Sequence, residues 1–190
     1  IKTDLSNLSL TKKIVFPNQN QGTVLLVNNA ADIGTIMPFN KKSQEDILTE
    51  YQLNLITPTI LTHKFINTYS KNKKILLNIS SGAAKNPIGS WSTYCTAKAG
   101  LDMITQVISK EKHRKLNAYS IHPGIIDTDM QKKIRPANPV LFPLLNKFTD
   151  YYTNQELKKT KDVAKKIYYI IENHNKFKKN IISIRDVNIK

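Results

Sequence analysis

Two uninterrupted apolar runs limit what this chain can fold into. Thr23-Val24-Leu25-Leu26-Val27-Asn28 and Lys74-Ile75-Leu76-Leu77-Asn78-Ile79 lack the polar alternation of a half-exposed strand. Such runs belong to a sheet covered on both faces. Residues 116–121 and 180–184 supply two further strand candidates. Long helical patterns separate the strands. Residues 43–67 open on Ser43 with Asp46 three positions on, a helix start with acidic first-turn residues. Residues 91–112 place Ala97, Leu101, Ile104 and Ile108 at helical spacing, and residues 161–173 do the same with Val163, Ile167 and Ile170. Strands alternating with helices predict an α/β fold: one doubly wound parallel sheet with helices on both faces, spanning 1–190 as a single domain. Residues 136–152 are Pro-rich and irregular, and are expected to form a loop with a short helix that lids the substrate site.

Composition narrows the class. A hydrophobic fraction of 40% with 23% charged residues is that of a globular chain and not of a disordered one. No apolar run approaches the roughly 20 residues of a membrane-spanning helix, so no membrane association is expected. Ile1-Lys2-Thr3-Asp4 has no apolar signal region, and the single cysteine, Cys95, suits a reducing cytoplasm and a small buried side chain. The net charge of +15 raises the question of nucleic acid. The lysines are scattered in polar segments expected to be exposed, with no aromatic stacking motif, so no nucleic-acid partner is expected.

Ligands of parallel α/β sheets bind beyond the carboxyl ends of the strands. The residues there carry chemistry: Asn28-Asn29-Ala30-Ala31, Ser80-Ser81-Gly82 and His122-Pro123-Gly124-Ile125-Ile126-Asp127-Thr128. The helix after the second strand presents Tyr94 and Lys98, four apart on one face. A phenol ordinarily titrates near 10, and an adjacent ammonium is expected to lower that value and make Tyr94 a usable proton donor. A hydroxyl from Ser80 or Ser81 would hold the same carbonyl oxygen as charge develops on it. A Tyr and a Lys four apart occur by chance on many helices, so the combination carries the weight.

That combination resembles the short-chain dehydrogenase/reductase family from Asp4 to about Asp186. The resemblance implies a Rossmann-type NAD(P)-binding fold and catalytic roles for Ser81, Tyr94, Lys98 and Asn54. Tyr94 would be the acid/base and Ser81 would orient the carbonyl. Lys98 would tune the tyrosine and hold the nicotinamide ribose, and Asn54 would anchor a relay water. It implies cofactor contacts at Asp4, Asn28, Asn29, Ala30, Tyr94, Lys98, Pro123, Gly124, Ile126 and Thr128, substrate contacts at Ser81, Tyr94 and Trp91, and no metal. Ala31 stands where the family's motif has glycine. Trp91-Ser92-Thr93-Tyr94-Cys95 and Pro123-Gly124-Ile125-Ile126-Asp127-Thr128-Asp129-Met130-Gln131 look like the sepiapterin reductase and benzil reductase branch. The resemblance to that branch implies NADP (NAD being possible), a small ketone or diketone substrate, and a homodimer or homotetramer of the full-length protein through residues 43–67 and 91–112.

The family opens with a strand, a glycine-rich turn and a helix that receive the cofactor's pyrophosphate. None of the 6 glycines here forms Gly-x-x-x-Gly-x-Gly. The expectation is a truncated chain lacking the first βαβα segment, on the order of 50 residues from typical element lengths. A natural short form or inactive relative with a binding role is the alternative. A nucleic-acid-binding module, motivated by charge alone, is the weaker one.

Overall fold

The computed structural model describes residues 2–189 of the chain. The apolar runs become β1 (Thr23–Asn28), β2 (Lys73–Ile79), β3 (Leu116–His122) and the short β4 (Ile181–Ser183). They form one parallel sheet whose spatial order, β1-β2-β3-β4, follows the chain. The helices are α1 (Leu8–Lys13), α2 (Gln44–Tyr51), α3 (Thr57–Thr68), α4 (Ser92–Lys110), α5 (Asp129–Ile134), α6 (Leu145–Thr153) and α7 (Thr160–Glu172).

Side chains on a strand alternate between faces, and the packing follows that phase. Ile75 and Leu77 of β2 join Tyr119 and Ile121 of β3, Ile182 of β4, and Val163 and Ile170 of α7 in one buried cluster. One residue out of phase, Asn78 and Ser120 bond Thr105 and Asp102 of α4. Helices therefore cover both faces of β2 and β3, and each buried aliphatic side chain stabilises the arrangement by roughly 2 kcal/mol. β1 departs from the two-sided cover its sequence suggests. Leu25 and Val27 are 44% and 39% exposed, because among the described residues no helix packs on that side of it.

The segment expected to be one helix over 43–67 is continuous but not uniform. Ser43 caps α2 with a reciprocal capping box to Asp46. A π-helical turn, Gln52–Ile56, then joins α2 to α3. Gly34, in the loop after β1, packs on the Glu50 side chain of α2. It has a φ of +74, and a Cβ there would lie 2.1 Å from the Glu50 carboxyl carbon. Only glycine fits without displacing that carboxylate. Lys74 also departs from expectation. It is 1% exposed, with its ammonium folded onto the carbonyls of Tyr69 and Asn72, so it closes the turn before β2.

Candidate active site

The expected residues gather at the carboxyl ends of the strands. Tyr94 and Lys98 lie on the buried face of α4, with the Lys98 ammonium 5.5 Å from the Tyr94 ring centre. The ammonium donates to the Ile79 carbonyl at the end of β2 (2.7 Å), and the Ser80 hydroxyl returns a bond to the Lys98 carbonyl (3.1 Å). Ser81 accepts from the Ala83 N–H at 3.1 Å and places its hydroxyl on the Tyr94 phenol. Asn54 occupies the π-helical turn. Its side chain spans the Asp32 backbone, accepting from the N–H at 3.1 Å and donating to the C=O at 2.9 Å. Asn54 is 2% exposed there, and single π-helical turns of this kind recur at functional sites.

Burial dominates the electrostatics here. It pushes the Tyr94 phenol up to about 12, against the opposing hydrogen bond of Ser81. It pulls the Lys98 ammonium down to about 8, against the pull of Asp102 one helical turn further on. The phenol is therefore raised where a lowering was expected, because desolvation of the phenolate outweighs the Ser81 hydrogen bond. At neutral pH the site holds a protonated phenol beside a largely charged ammonium.

A groove beyond the end of β1 is lined by Leu5, Asn28, Asn29, Ala30, Thr57 and Pro58. Asp4 borders it in a tight turn, with its carboxylate taking the Ser6 N–H and hydroxyl at 2.9 and 2.7 Å. Asn28 is structural in part. Its amide donates to Asn78 (2.8 Å) and Thr62 (3.1 Å), locking β1 to β2 and α3. Pro123 and Gly124 follow β3, and Gly124 has a φ of +77 that glycine adopts without strain. Ile126 forms an isolated bridge to Lys158, and Thr128 precedes α5. The residues present fit the nicotinamide-ribose end of a bound cofactor. The buried Lys98 ammonium has three donors and, among the described residues, bonds one carbonyl, which leaves donors for hydroxyls of a ligand.

The segment over 136–152 packs onto Trp91. Trp91 stacks on Phe142 (5.4 Å between centres, 20° between planes), lies 4.8 Å from Phe148, and meets Tyr94 edge-on at 5.9 Å. Among the described residues, the buried Trp91 indole N–H has no partner, nor has Oε1 of Gln131 on α5. The Ser90 hydroxyl, on a backbone with φ of +70, donates to the Leu141 carbonyl and ties this aromatic cluster to the start of α4. Cys95 is half-buried, and burial pushes its thiol up, as befits a packing residue.

Two buried groups at the site were not singled out in the sequence. Glu50, one turn before Asn54, accepts from the Thr35 N–H (2.7 Å), the Lys42 ammonium (2.8 Å) and the Thr93 hydroxyl beside Tyr94. Asp102, one turn after Lys98, bonds Ser120 and His122. Their helical spacing from Asn54 and Lys98 is the only local signal that would have marked them.

Comparison with known proteins fits this geometry. A family profile described as short chain dehydrogenase matches residues 1–139, and the chain belongs to the short-chain dehydrogenase/reductase family, oxidoreductases that act on carbonyl and hydroxyl groups. A benzil reductase ((S)-benzoin forming) of Bacillus cereus is 34% identical over 178 residues, covering 89% of this chain and 71% of the relative. A sepiapterin reductase of Xenopus tropicalis is 33% identical over 62% of this chain, which spans about half (48%) of that relative's length. The fold is shared with a short chain dehydrogenase/reductase of Saccharomyces cerevisiae at a TM-score of 0.83 and 22% identity, over 98% of this chain and 76% of that one.

Proposed function

We propose that this chain carries the catalytic residues of an NADP(H)-dependent carbonyl reductase acting on a small ketone or diketone, and that the protein works in the cytoplasm as a homodimer or homotetramer. The observation that carries this reading is the placement of the buried Tyr94 phenol between Ser81 and the Lys98 ammonium. A reduced nicotinamide bound beside Lys98 would supply the hydride. Ser81 holds the substrate oxygen by hydrogen bond. Tyr94 delivers its O–H proton to that oxygen as it becomes an alkoxide. Lys98 stabilises the phenolate left behind, and Asn54, from the π-helical turn, orients the water that reprotonates it. Lys98, Asn29, Ala30 and the 123–128 segment would hold the cofactor, with Asp4 toward its adenine end.

The diketone class rests on similarity to the benzil and sepiapterin reductases and on Trp91. A substrate with a second oxygen offers an acceptor to the indole N–H that lacks one. The choice of NADP rests on the same similarity. Exposed Leu48 and Ile56 on the 43–67 stretch, and Met103 and Val107 on α4, are apolar side chains a subunit interface would cover.

Tyr94→Phe removes the proton and keeps the ring. It is expected to lower turnover of an aromatic diketone by at least about a thousandfold while NADPH still binds. Retained turnover in a steady-state NADPH-oxidation assay would overturn the assignment.

A further inference from the structure

We infer that Asp102 is a positioning residue for the reductase chemistry: with His122 and Ser120 it pins α4 to the end of β3, and it places a buried carboxylate one helical turn from Lys98 as its counter-charge. The inference deepens the carbonyl reductase reading and rests on it for its catalytic consequence. Tyr94, Lys98 and Asp102 recur every four residues, so they form one column down the buried face of α4. At the top of the column Tyr94 faces Ser81. In the middle the Lys98 ammonium meets only a neutral carbonyl, that of Ile79. At the bottom the Asp102 carboxylate takes the Ser120 hydroxyl at 2.6 Å and His122 Nε2 at 2.8 Å.

The three side chains of the column, Tyr94, Lys98 and Asp102, are all buried. Lys98 is 2% exposed and Asp102 6%. Burial alone would drive both to neutrality. For Asp102, the hydrogen bonds from His122 and Ser120 outweigh burial and hold the carboxyl below its ordinary range. An ionised carboxylate one turn away then opposes the loss of charge at Lys98. The groups that face this pair are Tyr94 on α4, Ser80 and Ser81 after β2, and Ser120 and His122 on β3. Among the described residues, His122 is the titratable group that hydrogen-bonds to Asp102. It also directly precedes Pro123-Gly124, so the same carboxylate links the segment proposed to cover the cofactor to the helix that carries the acid.

The test is the titration of Lys98 itself, followed by NMR of protein labelled at the lysine ε-carbon and assigned with Lys98→Arg. Asp102→Asn removes the charge and keeps the shape. Its Lys98 midpoint is expected to fall by about half to one pH unit, the scale of one nearby opposite charge. Asp102→Ser gives a second neutral replacement should the amide not be accommodated. Ser120→Ala, which removes a hydrogen bond and leaves the carboxylate, is expected to leave the midpoint within about 0.2 units. In the reductase assay the alkaline limb of the pH profile should move down with Asp102→Asn, since less Lys98 is charged at each pH, while KM for substrate stays put. An unmoved Lys98 midpoint in both neutral variants, or an equal shift in Ser120→Ala, would overturn the inference. If the unsubstituted protein reduces no ketone, the carbonyl reductase reading fails, and the NMR titration still decides the role of Asp102.

Discussion

Lys98 shows most directly how burial and charge compete at a single residue. Its ammonium is pulled from an ordinary 10.5 down to about 8 by desolvation, with Asp102 resisting. Between those values the unfolded chain holds a proton that the folded protein has shed. This group's contribution to stability therefore rises with pH across that window and is least favourable below it. Tyr94 has the opposite sign at higher pH. Its raised value means that folding stability is lost from about pH 10 upward, as the unfolded phenol ionises first. Lys98→Met should flatten the rise between pH 7.5 and 9.5, a window below the Tyr94 effect. Urea denaturation of both proteins at these two pH values is the check, and equal slopes would mean that the ammonium is not desolvated. At this scale the sequence was readable where the signal is local. Tyr94 and Lys98 share a helix turn, and Ser81 and Asn28 mark strand ends. Asp102 was not readable, because its partners Ser120 and His122 come from a strand that only the fold brings alongside.

At the scale of elements, alternation of apolar runs with helical periods gave the four strands and the long helices to within one or two residues. The fit is best where caps are explicit, as at Ser43. The short helices α1 and α5 were missed, because six residues are too few to show a period. The π-helical turn was missed because one extra residue in a turn leaves no mark on apolar spacing. Glu50 gives that turn its surroundings. It joins the loop after β1, through Thr35 and Lys42, to Thr93 at the start of α4. The Lys42 side chain is fully buried against it at 2.8 Å. Glu50→Ala would strand that ammonium in a dry site, and removing one partner of a buried pair costs about 3–5 kcal/mol. A fall in Tm of roughly 10 °C is expected for a chain of this size. Much of it should return in Lys42→Met/Glu50→Leu, which removes both charges. Differential scanning fluorimetry of the three proteins tests this, and a single variant as stable as the parent would show that the pair holds nothing together.

For the whole molecule, the parallel order of the strands gathers the candidate catalytic groups at one end of the sheet, away from three of the lysine-rich stretches. Every candidate catalytic group lies at the carboxyl ends of β1 to β3. The lysine-rich stretches 71–74, 110–115 and 176–179 lie before β2, β3 and β4, at the other end. Most of these lysines are solvated, as their sequence context suggested, and they contribute to the +15 charge that keeps copies apart. Opposing that repulsion is β1, the edge strand among the described residues, with Leu25 and Val27 open to solvent on one face. An apolar edge strand with unpaired backbone groups is a template for a second chain. The 190-residue chain should therefore self-associate, and more so as salt screens the repulsion: weakly at about 50 mM and strongly at about 500 mM ionic strength. Leu25→Thr/Val27→Thr places β-branched strand formers at both positions and removes apolar surface, so it should shift the distribution toward monomer at both salts. Light scattering on a sizing column reads the mass directly. A monomer at both ionic strengths would show that the charge outweighs the open edge. Association that weakens with salt would place the contact among charged groups instead of on β1.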